Sequence, residues 1–204
     1  MKRVLPKMQT GLLRRKKMTE KSEAAVKKTS DSRVLDIALP AVFAALTFVA
    51  TYFIKVPIPA TSGYVHPGDA IVILCGIFLG KKKGFLAAGI GSCLADLLGG
   101  YMIYVAPTFV IKAFVAFFAA MIFEYTVKLL KKSGKKSFVP AAILAGLADI
   151  ILVPLGYFAF ETVIYGFAAA AAGMLPNLGQ AAFGLVVAAL LYPLINRALA
   201  GLRN

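Results

Sequence analysis

The sequence predicts an all-α integral membrane protein of six transmembrane helices with both termini in the cytoplasm. The chain of 204 residues is 60% hydrophobic, well above the roughly 45–50% of an ordinary soluble domain. Its mean hydropathy is +0.81. Its apolar residues fall into six blocks separated by Pro, Gly or charge. Its Lys and Arg sit at alternate ends of those blocks, as membrane-orienting charges do.

Residues 1–33 are polar and basic, with Arg14, Arg15, Lys16 and Lys17 in one run. They read as a cytoplasmic tail beside anionic lipid, with no cleavable signal, because the first apolar stretch lies far from the start and lacks a small-residue cleavage site. The formal net charge of +14 therefore reads as orientation rather than as a nucleic-acid surface. Residues 34–204 read as the membrane domain. Its first block, 37–54, is long enough to cross the hydrocarbon core. Pro57, Pro59, Gly63 and Pro67 break the following segment, 56–67, into a loop. The second block, 69–80, is short and ends at Lys81, Lys82 and Lys83. The third, 84–98, is also short and closes on Gly99-Gly100. The fourth, 105–127, is long and carries Lys112. A basic loop follows with Lys128, Lys131, Lys132, Lys135 and Lys136. The fifth, 138–160, contains Asp149. A mixed, Ala-rich stretch leads into the sixth, 175–199.

Eleven Lys and Arg lie in the tail, three at 81–83, five at 128–136 and two, Arg197 and Arg203, at the C-terminal end. These segments share one side only with six crossings, and the positive-inside rule then makes that side cytoplasmic. A helix of about 13 residues rises only about 20 Å, against a hydrocarbon core of roughly 30 Å. The Lys triplet pins both short blocks at the inner face, so their deficit falls outside. Irregular backbone at membrane depth is tolerated where it lines a protein-enclosed cavity. The sequence thus predicts an outward pocket with segment 56–67 as its lid.

Ionisable residues within a membrane usually face a cavity or a partner; here they are Asp69, Asp96, Lys112, Glu124 and Asp149, with Glu161 near the outer end. Glu124 and Lys128, at i and i+4, read as an interfacial pair. Lys112 either pairs with Asp96 or Asp149 or meets an acceptor on a substrate, and the two readings are compatible. Asp69 follows Gly68 and reads either as a helix cap or as a site residue. Aromatics crowd the outer end, among them Tyr52, Tyr64, Tyr101, Tyr104, Tyr157, Phe160 and Tyr165. They read as an interfacial belt or as walls for a planar ring, with Tyr101 and Tyr104 the better pocket candidates. Asn177 and Gln180 offer amides at the same depth. Cys75 and Cys93 read as small buried hydrophobes with no metal spacing, and His66, the only histidine, excludes a catalytic histidine cluster. Ala41 and Ala45, at i and i+4, share a helix face with Ala38, and such small-residue faces allow close helix approach. That face reads as internal packing or as a docking surface for another membrane subunit.

The segments Gly63-Tyr64, Pro67-Gly68-Asp69, Leu79-Gly80-Lys81, Gly91-Ser92, Leu94-Ala95-Asp96-Leu97-Leu98, Gly100-Tyr101, Ala106-Pro107-Thr108-Phe109 and Ile111-Lys112 resemble the substrate-binding S components of energy-coupling factor (ECF) vitamin transporters, in their riboflavin-transporter-like branch. The resemblance covers about residues 34–199. It implies a six-helix, non-enzymatic subunit of the prokaryotic plasma membrane. Such a subunit captures a vitamin or precursor at the external face and associates with a transmembrane coupling subunit and two ATPases. It also implies that Ala41 and Ala45 contact the coupling subunit. The implied pocket draws on the 56–67 loop with Tyr64 and His66, on Asp69 and Asp96, and on Tyr101, Tyr104, Lys112, Asp149 and Asn177. The chain has no Walker motif, so ATP would be consumed by the partners, with no cofactor, metal or nucleic acid in this chain. An aromatic pocket with polar tips suits pyridoxine or a hydroxymethylpyrimidine ahead of riboflavin. The alternatives are a stand-alone secondary carrier or channel, weakened by the lack of an obvious internal repeat, and an intramembrane aspartyl protease using Asp96 and Asp149. The sequence context of Asp69 and the lack of a Tyr-Asp pair speak against the protease.

Overall fold

The computed structural model describes residues 34–134 and 138–202. The basic tail, the expected domain boundary at residue 33, and Lys135 and Lys136 lie outside the described residues. Two compact units are distinguished: Met1–Leu39, of which only the opening turns of the first helix are described, and Pro40–Asn204, to which the rest of this account refers.

Among the described residues, five helices and one small hairpin follow each other. Helix α1 is Val34–Tyr52. Strands β1, Val56–Ile58, and β2, Gly63–Val65, pair antiparallel with Pro57 opposite Tyr64. Helices α2, Asp69–Leu98, α3, Val105–Lys132, α4, Val139–Tyr165, and α5, Phe167–Leu202, complete the order. A 3-10 turn, Met102–Tyr104, leads into α3. Pro140 stands in the first turn of α4, where its missing N–H costs nothing, and Gly166, at φ 85°, ends that helix.

Among the described residues, four segments are long and apolar enough to cross a membrane: Val34–Tyr52, Met102–Lys132, Val139–Tyr165 and Phe167–Gly201. Ile151, Leu155, Leu175, Val186 and Leu190 are exposed on them, as lipid-facing side chains should be. The interior is alanine-rich instead: Ala113, Ala116, Ala119, Ala141, Ala145, Ala181 and Ala188 are buried. Small residues bring helices close, which is the main source of packing where lipid is as apolar as the core. At the tightest α2–α3 approach, a Cβ on Gly76 would stand 2.2 Å from the Ala116 carbonyl oxygen.

Five helices stand where six were expected, because the second and third blocks are joined. No loop forms at Lys81–Lys83; those residues are helical. The break falls one residue earlier, at Gly80, with φ 75° and ψ −175°. Its arms, 69–79 and 81–98, fold back on each other. Cys75 Sγ lies 3.6 Å from Thr47 Oγ1, and a Cβ on Gly91 would lie 2.8 Å from Cβ of the same Thr47. A straight helix would hold residues 75 and 91 about 24 Å apart. The expected lid loop is the β1–β2 hairpin.

Candidate functional site

At the hairpin end of the bundle lies a cavity of about 310 Å³ of atom-free space, its mouth included. Ile58, Gly63, Tyr64 and His66 of the hairpin region close one side. Asp96 of α2, Tyr104 and Thr108 at the start of α3, Tyr157 and Glu161 of α4, and Asn177 of α5 supply the rest. The sequence places these residues by helical spacing. Tyr104, Thr108 and Lys112 recur every fourth position, as do Asp149, Tyr157 and Glu161 with Val153 between, and all seven are buried. Two polar stripes on α3 and α4 therefore face inward.

Tyrosine hydroxyls hold the wall together. Tyr64 donates to Asp96 Oδ1 at 2.5 Å. Tyr104 donates to the Thr61 carbonyl at 2.6 Å and also lies 3.1 Å from Glu161 Oε1. Tyr157 and Thr108 share a hydrogen bond of 2.9 Å. Burial and the neighbouring Asp96 push the Tyr64 hydroxyl well above its ordinary pKa, so it stays a donor. Gly63 leaves room for this arrangement, since a Cβ there would stand 3.2 Å from the Tyr104 hydroxyl.

Under the cavity runs a chain of buried polar groups. The backbone N–H of His66 donates to Gln180 Oε1 at 2.7 Å. Gln180 Nε2 donates to Asp69 Oδ2 at 2.6 Å. Lys112 Nζ donates to Asp69 Oδ1 at 2.5 Å, both side chains being fully buried. Lys112 Nζ also sits 5.5 Å from the Tyr157 ring centroid. The Gly68 N–H donates to His66 Nδ1 at 3.1 Å, which leaves the ring proton on Nε2. Burial, reinforced by Lys112 and Lys55 and opposed by Asp69, lowers the His66 pKa to about 3. Asp149 adjoins this chain: a Cβ on Gly184 would stand 2.8 Å from Asp69 Cβ and 3.2 Å from Asp149 Oδ2.

On the rim, Lys55 Nζ lies 4.8, 4.6 and 4.9 Å from the ring centroids of Tyr52, Tyr64 and Tyr101. This three-ring cage is a cation–π arrangement, and burial lowers the Lys55 pKa against the opposing pull of Asp96.

The expected site residues thus separate into three places. Tyr64, His66, Asp96, Tyr104 and Asn177 share the cavity wall. Asp69, Lys112 and Asp149 lie in the buried polar group beside it, and Tyr101 belongs to the rim cage. Lys112 pairs with Asp69, rather than with Asp96 or Asp149, because the fold-back of α2 brings its first residue against α3. Asp69 does not cap its helix; its two oxygens are taken by Lys112 and Gln180. Glu124 pairs with Lys81 at 3.0 Å instead of the expected Lys128. Asp96 and Asp149, the carboxyls a protease would need, occupy different places. Tyr157 and Glu161 join the wall although the sequence reading does not name them as site residues; the available signal is their spacing of eight and twelve residues from Asp149, two and three steps of four. Among the described residues no group of three or more His, Cys, Asp or Glu is arranged to hold a metal ion.

Residues 31–197 match the family described as "ECF-type riboflavin transporter, S component". A Pyrococcus woesei protein described as "Uncharacterized protein in gap 3'region" is 33% identical over 141 residues, covering 68% of this chain and 86% of its own. The thiamine precursor transporter HmpT of Lactococcus lactis subsp. cremoris is 27% identical over 174 residues, covering 84% of this chain and 94% of its own. In fold, the chain is similar to the solved structure described as "Structure and mechanism of the S component of a bacterial ECF transporter". That match has a TM-score of 0.58 at 22% identity, and covers 82% of this chain and 98% of that one.

Proposed function

The chain belongs to the family of ECF-type riboflavin transporter S components, and from that membership we propose that it captures a one-ring vitamin or vitamin precursor for an ATP-driven importer. As a member, it is a multi-pass protein of the cell membrane and a transporter subunit. Hydroxymethylpyrimidine is the leading ligand, with pyridoxine next and riboflavin behind them.

The observation that carries this reading is the cavity itself. It is a small cavity, since the atom-free space of about 310 Å³ counts its open mouth. Its wall combines the Tyr64, Tyr104 and Tyr157 rings with a few buried polar groups, which suits one planar ring better than a tricyclic ring with a polyol chain. The likeness to a thiamine precursor transporter supports the same choice.

The reading includes six crossings with both ends cytoplasmic, the two arms of α2 counting separately. The cavity then opens outward beneath the hairpin, and Ala41 and Ala45 face the coupling subunit. Two partner ATPases consume the ATP, and this chain carries no cofactor. Equilibrium binding to the purified full chain in detergent tests the proposal, using hydroxymethylpyrimidine, pyridoxine, thiamine and riboflavin. One-ring compounds are expected to bind and riboflavin to bind weakly. Binding of none of the four overturns the reading.

A further inference from the structure

Two carboxyl groups in the cavity wall use only half of their hydrogen-bonding capacity. Asp96 and Glu161 are 3% and 2% exposed. One oxygen of each meets a tyrosine: Asp96 Oδ1 accepts from Tyr64, and Glu161 Oε1 lies beside the Tyr104 hydroxyl. Their second oxygens, Asp96 Oδ2 and Glu161 Oε2, are buried without a hydrogen-bond partner among the described residues. The Thr61 hydroxyl near Glu161 also lacks one. A buried acceptor left unpaired is costly and uncommon in native proteins. The Thr108 hydroxyl stands near Asp96 and the Thr61 hydroxyl near Glu161, but neither is aligned with the second oxygen, so two such oxygens in one small cavity, on different helices, are open to donors from outside the chain.

The rest of the wall cannot supply those donors as cations. No lining residue is Lys or Arg. Lys112 is committed to Asp69, and the Lys55 ammonium sits in its tyrosine cage. His66 accepts at Nδ1 from Gly68 and is therefore neutral, with Nε2–H as a neutral donor. The cavity therefore has no cationic donor to meet its two carboxyls. A ligand ring that turned carbonyl oxygens toward Asp96 or Glu161 would set acceptor against acceptor.

We propose that Asp96 and Glu161 form two acceptor subsites that select a small heterocycle bearing N–H or O–H donors on different edges. An amino-substituted azine with a hydroxymethyl arm is the class that fits. Tyr64 and Tyr104 act as positioning residues, because each fixes one oxygen of its carboxyl and so aims the other. The proposal rests on the reading of the chain as a vitamin-capture subunit.

Titration calorimetry on the full chain in detergent tests it. The probes are 4-amino-5-hydroxymethyl-2-methylpyrimidine, its analogue lacking the amino group, pyridoxine and riboflavin. Removing the amino group is expected to weaken binding by about 10–100-fold, the span of one hydrogen bond to a charged group. Asp96→Asn and Glu161→Gln are each expected to weaken the tightest probe similarly. In one of the two variants the amino and deamino compounds should bind more nearly alike, which general damage to the site would not produce. Equal binding of the two pyrimidines to the unaltered chain, within twofold, overturns the inference. So does binding of the tightest probe to both variants within twofold of the unaltered chain. Where a variant fails to fold, the pair of pyrimidines on the unaltered chain decides alone. Failure of every probe to bind overturns the functional reading instead.

Discussion

Lys112 and Asp69 form an ion pair with no solvent on either side chain, and removing one partner of such a pair strands the other charge. Lys112→Met is therefore expected to destabilise the protein by about 3–5 kcal/mol. The double variant Asp69→Asn/Lys112→Met, which removes both charges, should recover a large part of that loss. Denaturation midpoints in detergent read both effects, and a Lys112→Met midpoint equal to that of the unaltered chain refutes this role for the pair. His66 gives a second expectation. Its pKa is about 3 when folded, against about 6.5 unfolded, so between those values the unfolded chain binds the extra proton. Its contribution to stability is complete above pH 6.5 and is lost as pH falls toward 3, by at most about 1.4 kcal/mol per pH unit. His66→Gln should flatten that part of the profile of melting temperature against pH. That Lys112 needed a partner was legible from its place in an apolar block. Which carboxyl served was not, since Asp69, Asp96 and Asp149 fall at compatible depths. The choice depends on the fold-back of α2 and on Gly184, whose missing Cβ lets α5 lie against both Asp69 and Asp149.

Among the elements, α2 departs furthest from its pattern, and Gly80 is why. Its φ of 75° and ψ of −175° belong to a region essentially confined to glycine, at a cost of order 1–3 kcal/mol for other residues. No atom lies within 4 Å of a Cβ built there, so Gly80→Ala is expected to cost about 1–3 kcal/mol through the backbone alone. Gly76→Ala acts differently, because its new methyl would meet the Ala116 carbonyl at 2.2 Å and force α2 from α3. Gly76→Ala should lower the thermal midpoint more than Gly80→Ala, and the reverse order would show that packing is not what Gly76 protects. The sequence made the interruption visible through Leu79-Gly80-Lys81 and the shortness of both blocks. Charge at Lys81–Lys83 reads as the end of the helix, whereas those residues continue it from the second arm. The hairpin was less visible still. Its strands have three residues each, β1 contains Pro57, and Pro disfavours a strand except at an edge or its start.

For the molecule as a whole, periodicity at four residues predicts more than the aromatic count did. The stripes at 104, 108 and 112 and at 149, 157 and 161 bring polar groups to one end of an otherwise alanine-lined bundle. Tyr101 and Tyr104 are put forward together by their place after the short third block; Tyr104 lines the cavity, whereas Tyr101 packs on Tyr64 and Lys55 at the rim. The same periodicity, applied to α1, separates its faces. Phe43 and Thr47 are buried, while Ala41 and Ala45 are exposed. The α1–α2 contact is made elsewhere, where a Cβ on Gly91 would lie 2.4 Å from the Ala44 carbonyl. The outward alanines are therefore not explained by packing within this chain, and small outward residues permit a close approach by another helix. Tryptophan at either position should leave the fold and the cavity intact while blocking that approach. Ala41→Trp and Ala45→Trp are thus expected to bind ligand like the unaltered chain, yet to lose co-purification with the coupling subunit and its ATPases when all are co-expressed. If both variants bring the partners down undiminished, the docking surface lies on another face. If both lose ligand affinity as well, α1 supports the cavity rather than the assembly.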